Sequence, residues 1–149
     1  MPIPTLEDAI ALAVEAHRGQ KEKDGQPYIL HALRVMLRLE TEYERMAGVL
    51  HDVVEDTPYT LDELRRLGYP DPVIEAVDCL TRRDDETYEQ FVERAMANPI
   101  ARHVKLADLE DNMDIRRLLE VTENGRERLN RYIEARARLR QAIQEAQGR

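Results

Sequence analysis

His51-Asp52-Val53-Val54-Glu55-Asp56 sets one imidazole and three carboxylates into six residues of an otherwise apolar stretch. Met46-Ala47-Gly48-Val49-Leu50 before it and the interleaved valines predict a core-packing helix from about Glu42 to Asp56, stopped by Pro58. On that helix Asp52 and Asp56 stand one turn apart in a single row, as do His51 and Glu55, and like charges at this spacing repel. Burying them without a partner is costly or forces protonation, and a divalent cation removes both problems. Adjacent helical residues diverge by about 100°, so His51 and Asp52 occupy only one edge of a coordination shell and other helices must complete it. Two candidates stand out. His31 follows a polar loop and has apolar neighbours that would turn it inward, and Asp108 ends the apolar turn Val104-Lys105-Leu106-Ala107, with Asn112 one turn further on. Two neutral imidazoles and two carboxylates suit manganese, iron, zinc or nickel better than calcium or magnesium. The residue types leave those four metals open.

The scaffold that must bring these groups together reads as helix throughout, with breakers at intervals and no sustained apolar alternation, so the expected fold class is all-α. Thr5 with Asp8 forms a capping box for a first helix whose apolar face is Leu6, Ile10, Ala13 and Val14, closed by Gly19. A loop from Gln20 to Pro27 leads to a second helix starting near Tyr28. Thr60 with Glu63 caps a short helix ending at Gly68, and Thr87 with Gln90 caps a later one. Asp71-Pro72 and Asn98-Pro99 each read as an N-cap followed by proline at the first helical position. After Asn124-Gly125 a long charged helix, Arg126 to Gln147, carries Leu129, Tyr132, Ile133 and Leu139. The 149 residues read as one domain spanning 1–149, and the net charge of −8 argues against nonspecific nucleic-acid binding or an anionic membrane surface. No apolar run nears the ~18 residues of a membrane span and no signal peptide is evident, which predicts a cytoplasmic protein. Cys79, the single cysteine, reads as a small core residue.

Five segments in this order and spacing resemble the HD-domain phosphohydrolases, and within them the hydrolase domain of the RelA/SpoT homologues and the small alarmone hydrolases. They are Ala16-His17-Arg18-Gly19-Gln20, Gly25-x-Pro27-Tyr28-Ile29-x-His31, Ala47-Gly48-x-Leu50-His51-Asp52-x-x-Glu55-Asp56-Thr57, Leu80-Thr81-Arg82 and Val104-Lys105-Leu106-Ala107-Asp108-x-x-x-Asn112. The resemblance implies an all-α HD bundle in which His31, His51, Asp52 and Asp108 bind one divalent ion, typically Mn2+. It implies that Glu55 and Asp56 orient or deprotonate the attacking water, and that the substrate is (p)ppGpp, cleaved to GDP or GTP and pyrophosphate. The length leaves no room for a synthetase domain, so the implied protein is a dedicated hydrolase.

Three positions depart from the family pattern. Glu22 stands where relatives carry an arginine that packs on the guanine base, Ala32 replaces a proline, and Leu109, followed by Glu110 and Asp111, replaces a basic residue. A carboxylate cannot stack as a guanidinium does. The more acidic rim calls for compensating cations, and Lys23, Arg82 and Arg128 are the candidates, the last with Tyr132 in an Arg-x-x-x-Tyr pattern resembling the small hydrolases. The substrate-binding set is therefore Lys23, Asn112, Arg128 and Tyr132. His17 and His103 read as locally bonded or packed, Tyr28 as a core aromatic, and Lys105 as the neutraliser of a nearby carboxylate. Glu22 keeps other phosphorylated nucleotides in view, namely (p)ppApp or the 2′-phosphate of NADPH. A non-catalytic nucleotide sensor and a plain helical interaction module are the remaining classes; the latter leaves the buried acids unexplained. Oligomeric state is open.

Overall fold

The computed structural model describes residues 2–148, and among them every regular element is helical. The order is α1 (Leu6–Ala16), α2 (Ile29–Leu37), α3 (Glu42–Leu50), α4 (Val53–Asp56), α5 (Leu61–Arg66), α6 (Asp71–Cys79), α7 (Tyr88–Ala97), α8 (Ala101–Asn112), a 3-10 turn at Ile115–Arg117 and α9 (Glu123–Gln147). None of these helices is long and apolar enough to cross a membrane.

α3 is the central post. Its residues Met46 to Leu50 are buried without interruption, which follows from a segment apolar on every face, and α1, α2, α6 and α8 pack around it. The core continues through Val35, Val53, Leu64, Val73, Val77 and Val104, each fully buried. Each such side chain contributes about 1.5–3 kcal/mol on leaving water. Gly48 lets α2 come close, because a Cβ there would lie 2.5 Å from Leu39 Cδ1 and 3.5 Å from the Met36 Cα. A smaller cluster of Val92, Leu109, Ala135 and Leu139 fastens α9 to α7 and α8.

The capping boxes at Thr5 and Thr87 form as the sequence predicts, and Thr60 caps α5. Other expectations need correction. The helix drawn from Glu42 to Asp56 is interrupted: α3 ends at Leu50, His51 makes only a long i→i−3 bond to Gly48 (3.5 Å), and Asp52 sits at φ −102°, ψ 0° before α4 resumes. His51 itself causes part of this, since its Nδ1 lies 2.6 Å from the Gly48 carbonyl and competes for the acceptor that would continue the helix. The buried face of α1 is Ala9 and Ala13 with Leu6 and Ile10 half-buried beside them, while Val14 turns to solvent. α6 is capped by Pro70, one residue before the expected Asp71. α8 begins at Ala101, with the Asn98 side chain accepting from the Ile100 and Ala101 amides. α9 begins at Glu123, so Asn124-Gly125 form its first turn rather than preceding it, and the cap is Thr122. Ile133 is exposed. Cys79 is half-buried against the main core.

Candidate metal centre and its cleft

Four side chains from two helices and the α3–α4 break converge. His31 comes from the first turn of α2, His51 and Asp52 from the break, and Asp108 from the middle of α8. One ligating atom each of His31, His51 and Asp108 lies within 4.8 Å of the others. His51 Nε2 is 3.0 Å from Asp52 Oδ2 and 3.4 Å from Asp108 Oδ1; His31 Nε2 is 3.0 Å from Asp108 Oδ1 and 3.9 Å from Asp52 Oδ2. The break achieves what a continuous helix cannot, bringing neighbours that would diverge by about 100° onto one point.

The donor set fits a cation. His51 Nδ1 faces the Gly48 carbonyl and His31 Nδ1 faces Asp111 Oδ2 at 2.6 Å, so both rings spend their N–H outward and turn Nε2 lone pairs onto carboxylate oxygens. Lone pair against lone pair is repulsive unless a positive charge sits between them. His51 Nε2 is buried with no hydrogen-bond partner. Without an ion between them, the same crowding draws a proton onto the rings instead. Burial pushes both imidazoliums down, yet the Asp52 and Asp108 carboxylates outweigh it for His51, and bonds to Asp108 and Asp111 lift His31 to about 9. Burial would raise Asp108, but Lys105 and the two imidazoles hold it well below the usual carboxylate range. The buried group of His31, His51 and Asp108 could hold a metal ion, with the Asp52 carboxylate beside it.

Around this point lies a pocket of about 190 Å³ lined by Tyr28, Glu55, Asp56, Leu80, Phe91, Lys105 and Asn112 besides the four converging residues. Glu55 and Asp56 share their carboxylate cluster with Asp52, all within 4.8 Å. Partial burial first, then the charges of Asp52 and Glu55, raise the Asp56 carboxyl to about 6. Glu55 is held from the other side, its Oε1 accepting the Arg82 backbone N–H at 2.7 Å. Lys105 Nζ is 3.1 Å from Asp108 Oδ2 and sits 4.5 Å from the Phe91 ring centre, the neutralising role expected of it. Asn112 Nδ2 donates to Asp108 Oδ1 at 3.2 Å.

A larger cleft of about 450 Å³ adjoins the pocket and shares Tyr28, His31 and Asn112 with it. Lys23, Asn112, Arg128 and Tyr132 all line it, so the four substrate candidates share one cavity. Arg82 lines neither cavity; its contribution is the backbone donor to Glu55. Tyr28, read as a core aromatic, instead donates its hydroxyl to Asp52 Oδ2 while its ring packs at 4.9 Å from His17 and 5.5 Å from His31. His17 is locally bonded as expected, its Nδ1 2.8 Å from Gln20 Oε1. The acidic rim is not a rim. Asp111 is 1% exposed and Glu22 8%, and both are tied to Arg34 and Arg117. Sequence reasoning missed Arg34, Asp111 and Arg117. A signal existed: Arg34 follows His31 by three residues and Asp111 follows Asp108 by three, so each helix offers a second polar group on its site-facing side.

No family model matches the chain. A GTP pyrophosphokinase of Streptomyces coelicolor is 39% identical over 128 residues, covering 77% of this chain and 15% of that protein. The bifunctional (p)ppGpp synthase/hydrolase SpoT of Escherichia coli is 31% identical over 126 residues, covering 74% of this chain and 18% of that protein. The chain belongs to the RelA/SpoT-homologue family of HD domains. It spans only a small part of the length of these bacterial RelA/SpoT homologues. A solved metazoan orthologue of SpoT, which hydrolyses ppGpp and plays a role in starvation responses, has the same fold at a TM-score of 0.73 and 24% identity, covering 93% of this chain and 86% of that one.

Proposed function

We propose that residues 1–149 form one HD phosphohydrolase domain that removes the 3′-diphosphate of (p)ppGpp as pyrophosphate, leaving GDP or GTP. The observation that carries this reading is the meeting of His31, His51, Asp52 and Asp108 beside two further carboxylates, at the end of a cleft large enough for a nucleotide. The names borne by the Escherichia coli and metazoan relatives support the substrate.

In this reading His31, His51, Asp52 and Asp108 hold one divalent ion, with Mn2+ the choice that suits the mixed nitrogen and oxygen donors. The bound ion supplies Lewis-acid polarisation of a phosphoryl oxygen and a lowered pKa for water beside it. Asp56, whose carboxyl sits near 6, takes the proton of the attacking water. Glu55, fixed by the Arg82 amide, orients that water. The water oxygen adds to the phosphorus nearest the ribose, the bond from that phosphorus to the 3′-oxygen breaks, and the 3′-oxygen takes up a proton. Lys105 offsets charge on the departing pyrophosphate from inside the pocket, Lys23 and Arg128 offset the 5′-phosphates from the cleft, and Asn112 and Tyr132 position the nucleoside between them.

Release of pyrophosphate from ppGpp, pppGpp and ppApp, and of orthophosphate from NADPH, each measured with and without Mn2+, tests the proposal. Turnover of the guanosine substrates that needs the ion supports it, whereas turnover of NADPH or ppApp alone reassigns the substrate and turnover of none removes the enzymatic reading. Glu55→Gln and Asp56→Asn should each lower kcat at least 100-fold, about 2.7 kcal/mol, while the ion stays bound. Loss of the ion in either variant would mean that these acids are ligands instead.

A further inference from the structure

Outside the four converging side chains lies a second cluster of opposite charges, whose purpose the reaction does not explain. Glu22 Oε1 accepts from Arg34 at 2.5 Å and from Arg117 at 2.7 Å. Asp111 Oδ1 accepts from Arg34 Nε at 2.7 Å, its Oδ2 from Arg34 and Arg117 at 3.1 and 3.3 Å, and its backbone carbonyl from Arg117 at 2.7 Å. Two carboxylates face two guanidiniums, so each charge in the cluster meets an opposite one. The remaining contact of Asp111 Oδ2 is His31 Nδ1, at 2.6 Å.

We propose that Asp111 is the positioning residue of His31, and that Glu22, Arg34 and Arg117 lock it in place, so that the wall of the cleft governs affinity for the ion. The inference rests on the metal-site reading above. An imidazole has two tautomers, and only the one with its proton on Nδ1 presents an Nε2 lone pair to the site. A buried carboxylate 2.6 Å from Nδ1 selects that tautomer and fixes the ring plane, the arrangement that outer carboxylates give to metal-binding histidines. A carboxylate on a single bond could swing away. Asp111 cannot, because the Arg34 guanidinium from α2 holds both of its oxygens and Arg117, at the end of the 3-10 turn, holds Oδ2 together with the main-chain carbonyl. Glu22 in turn holds both guanidiniums from the Gln20–Pro27 loop. Glu22 and Arg117 also line the 450 Å³ cleft, so a ligand there touches the outer end of a chain of bonds whose inner end is His31. Glu22 thus acts as a structural anchor for arginines at the position where relatives place an arginine of their own.

The test measures binding of Mn2+ alone, with no nucleotide, by electron paramagnetic resonance and by elemental analysis after dialysis. Asp111→Asn keeps an acceptor oxygen but loses the charge, and should weaken Mn2+ binding by about 10- to 100-fold. In a His31→Ala background the same change should add no further loss, because its effect runs through that ring. Glu22→Gln should give a smaller loss, and it decides the matter if Asp111→Asn does not fold. Wild-type affinity in these variants, or an equal loss with and without His31, overturns the inference and leaves the metal site standing. A wild-type protein that takes up no Mn2+ overturns both.

Discussion

Replacing Tyr28 by Phe removes one oxygen from the site and leaves its packing in place. The ring lies against His17 and His31, and Phe keeps those contacts. What disappears is a hydroxyl donor to Asp52 Oδ2, the oxygen that also faces His51 Nε2 at 3.0 Å. A hydrogen bond to a charged group is worth about 1.5–3 kcal/mol. The tyrosine is half-buried, so water can return only in part, and most of that range should be lost. At 1.4 kcal/mol per factor of ten, Tyr28→Phe should weaken Mn2+ binding or lower kcat/KM by about 10- to 100-fold. Titrating Mn2+ into dialysed protein separates the two possibilities, since a purely kinetic defect leaves the binding curve unchanged. A variant with wild-type Mn2+ affinity and wild-type kcat/KM would show that the hydroxyl does not hold Asp52, and the orientation argument for that ligand would fail.

Two further outcomes follow from the scaffold. Leu139 is fully buried in the small cluster that fastens α9, so Leu139→Ala should cost about 2–5 kcal/mol and, because Arg128 and Tyr132 ride on the same helix, raise KM more than it lowers kcat; a thermal melt and a saturation curve read the pair. Arg94 bonds Glu86 and holds the Glu86 carboxyl down at about 2, against 4.5 for a free glutamate. A depressed carboxylate stabilises the fold above its unfolded pKa, so the advantage of wild type over Glu86→Gln should be full at neutral pH and vanish as pH falls from about 4.5 through 2. An unfolding gap between the two proteins that stays constant across that window would contradict the pairing.

The convergence of His31, His51, Asp52 and Asp108 was legible because each carries a local signature: charged or imidazole groups inside apolar stretches, which solvation alone does not explain. Helix starts were legible for the same kind of reason, since Thr5, Thr60 and Thr87 act on amides only three residues away. The interruption at His51 and Asp52 was not. It depends on the His51 side chain competing for the Gly48 carbonyl, and hydrophobic periodicity runs through it unbroken from Met46 to Val53. Long-range pairing was equally hidden. Asp111 and Glu22 look like surface acids in the chain, and only the approach of Arg34 and Arg117 across 77 and 95 residues makes them interior groups. Tyr28 misled for a related reason, as an aromatic between apolar residues reads as core unless the carboxylate it meets, 24 residues on, is known.

The crowding of Asp52, Glu55 and Asp56 within 4.8 Å, with Asp108 close behind, makes the folded chain pay electrostatically for its own pocket until a counter-charge arrives. An ion that enters the finished site and ignores the unfolded chain adds RT ln(1 + [L]/Kd), about 2.7 kcal/mol at a hundredfold excess over Kd. With such an ion bound, heat tolerance would follow its supply: chelation would soften the protein, abundance would harden it, and the melting temperature would gauge occupancy.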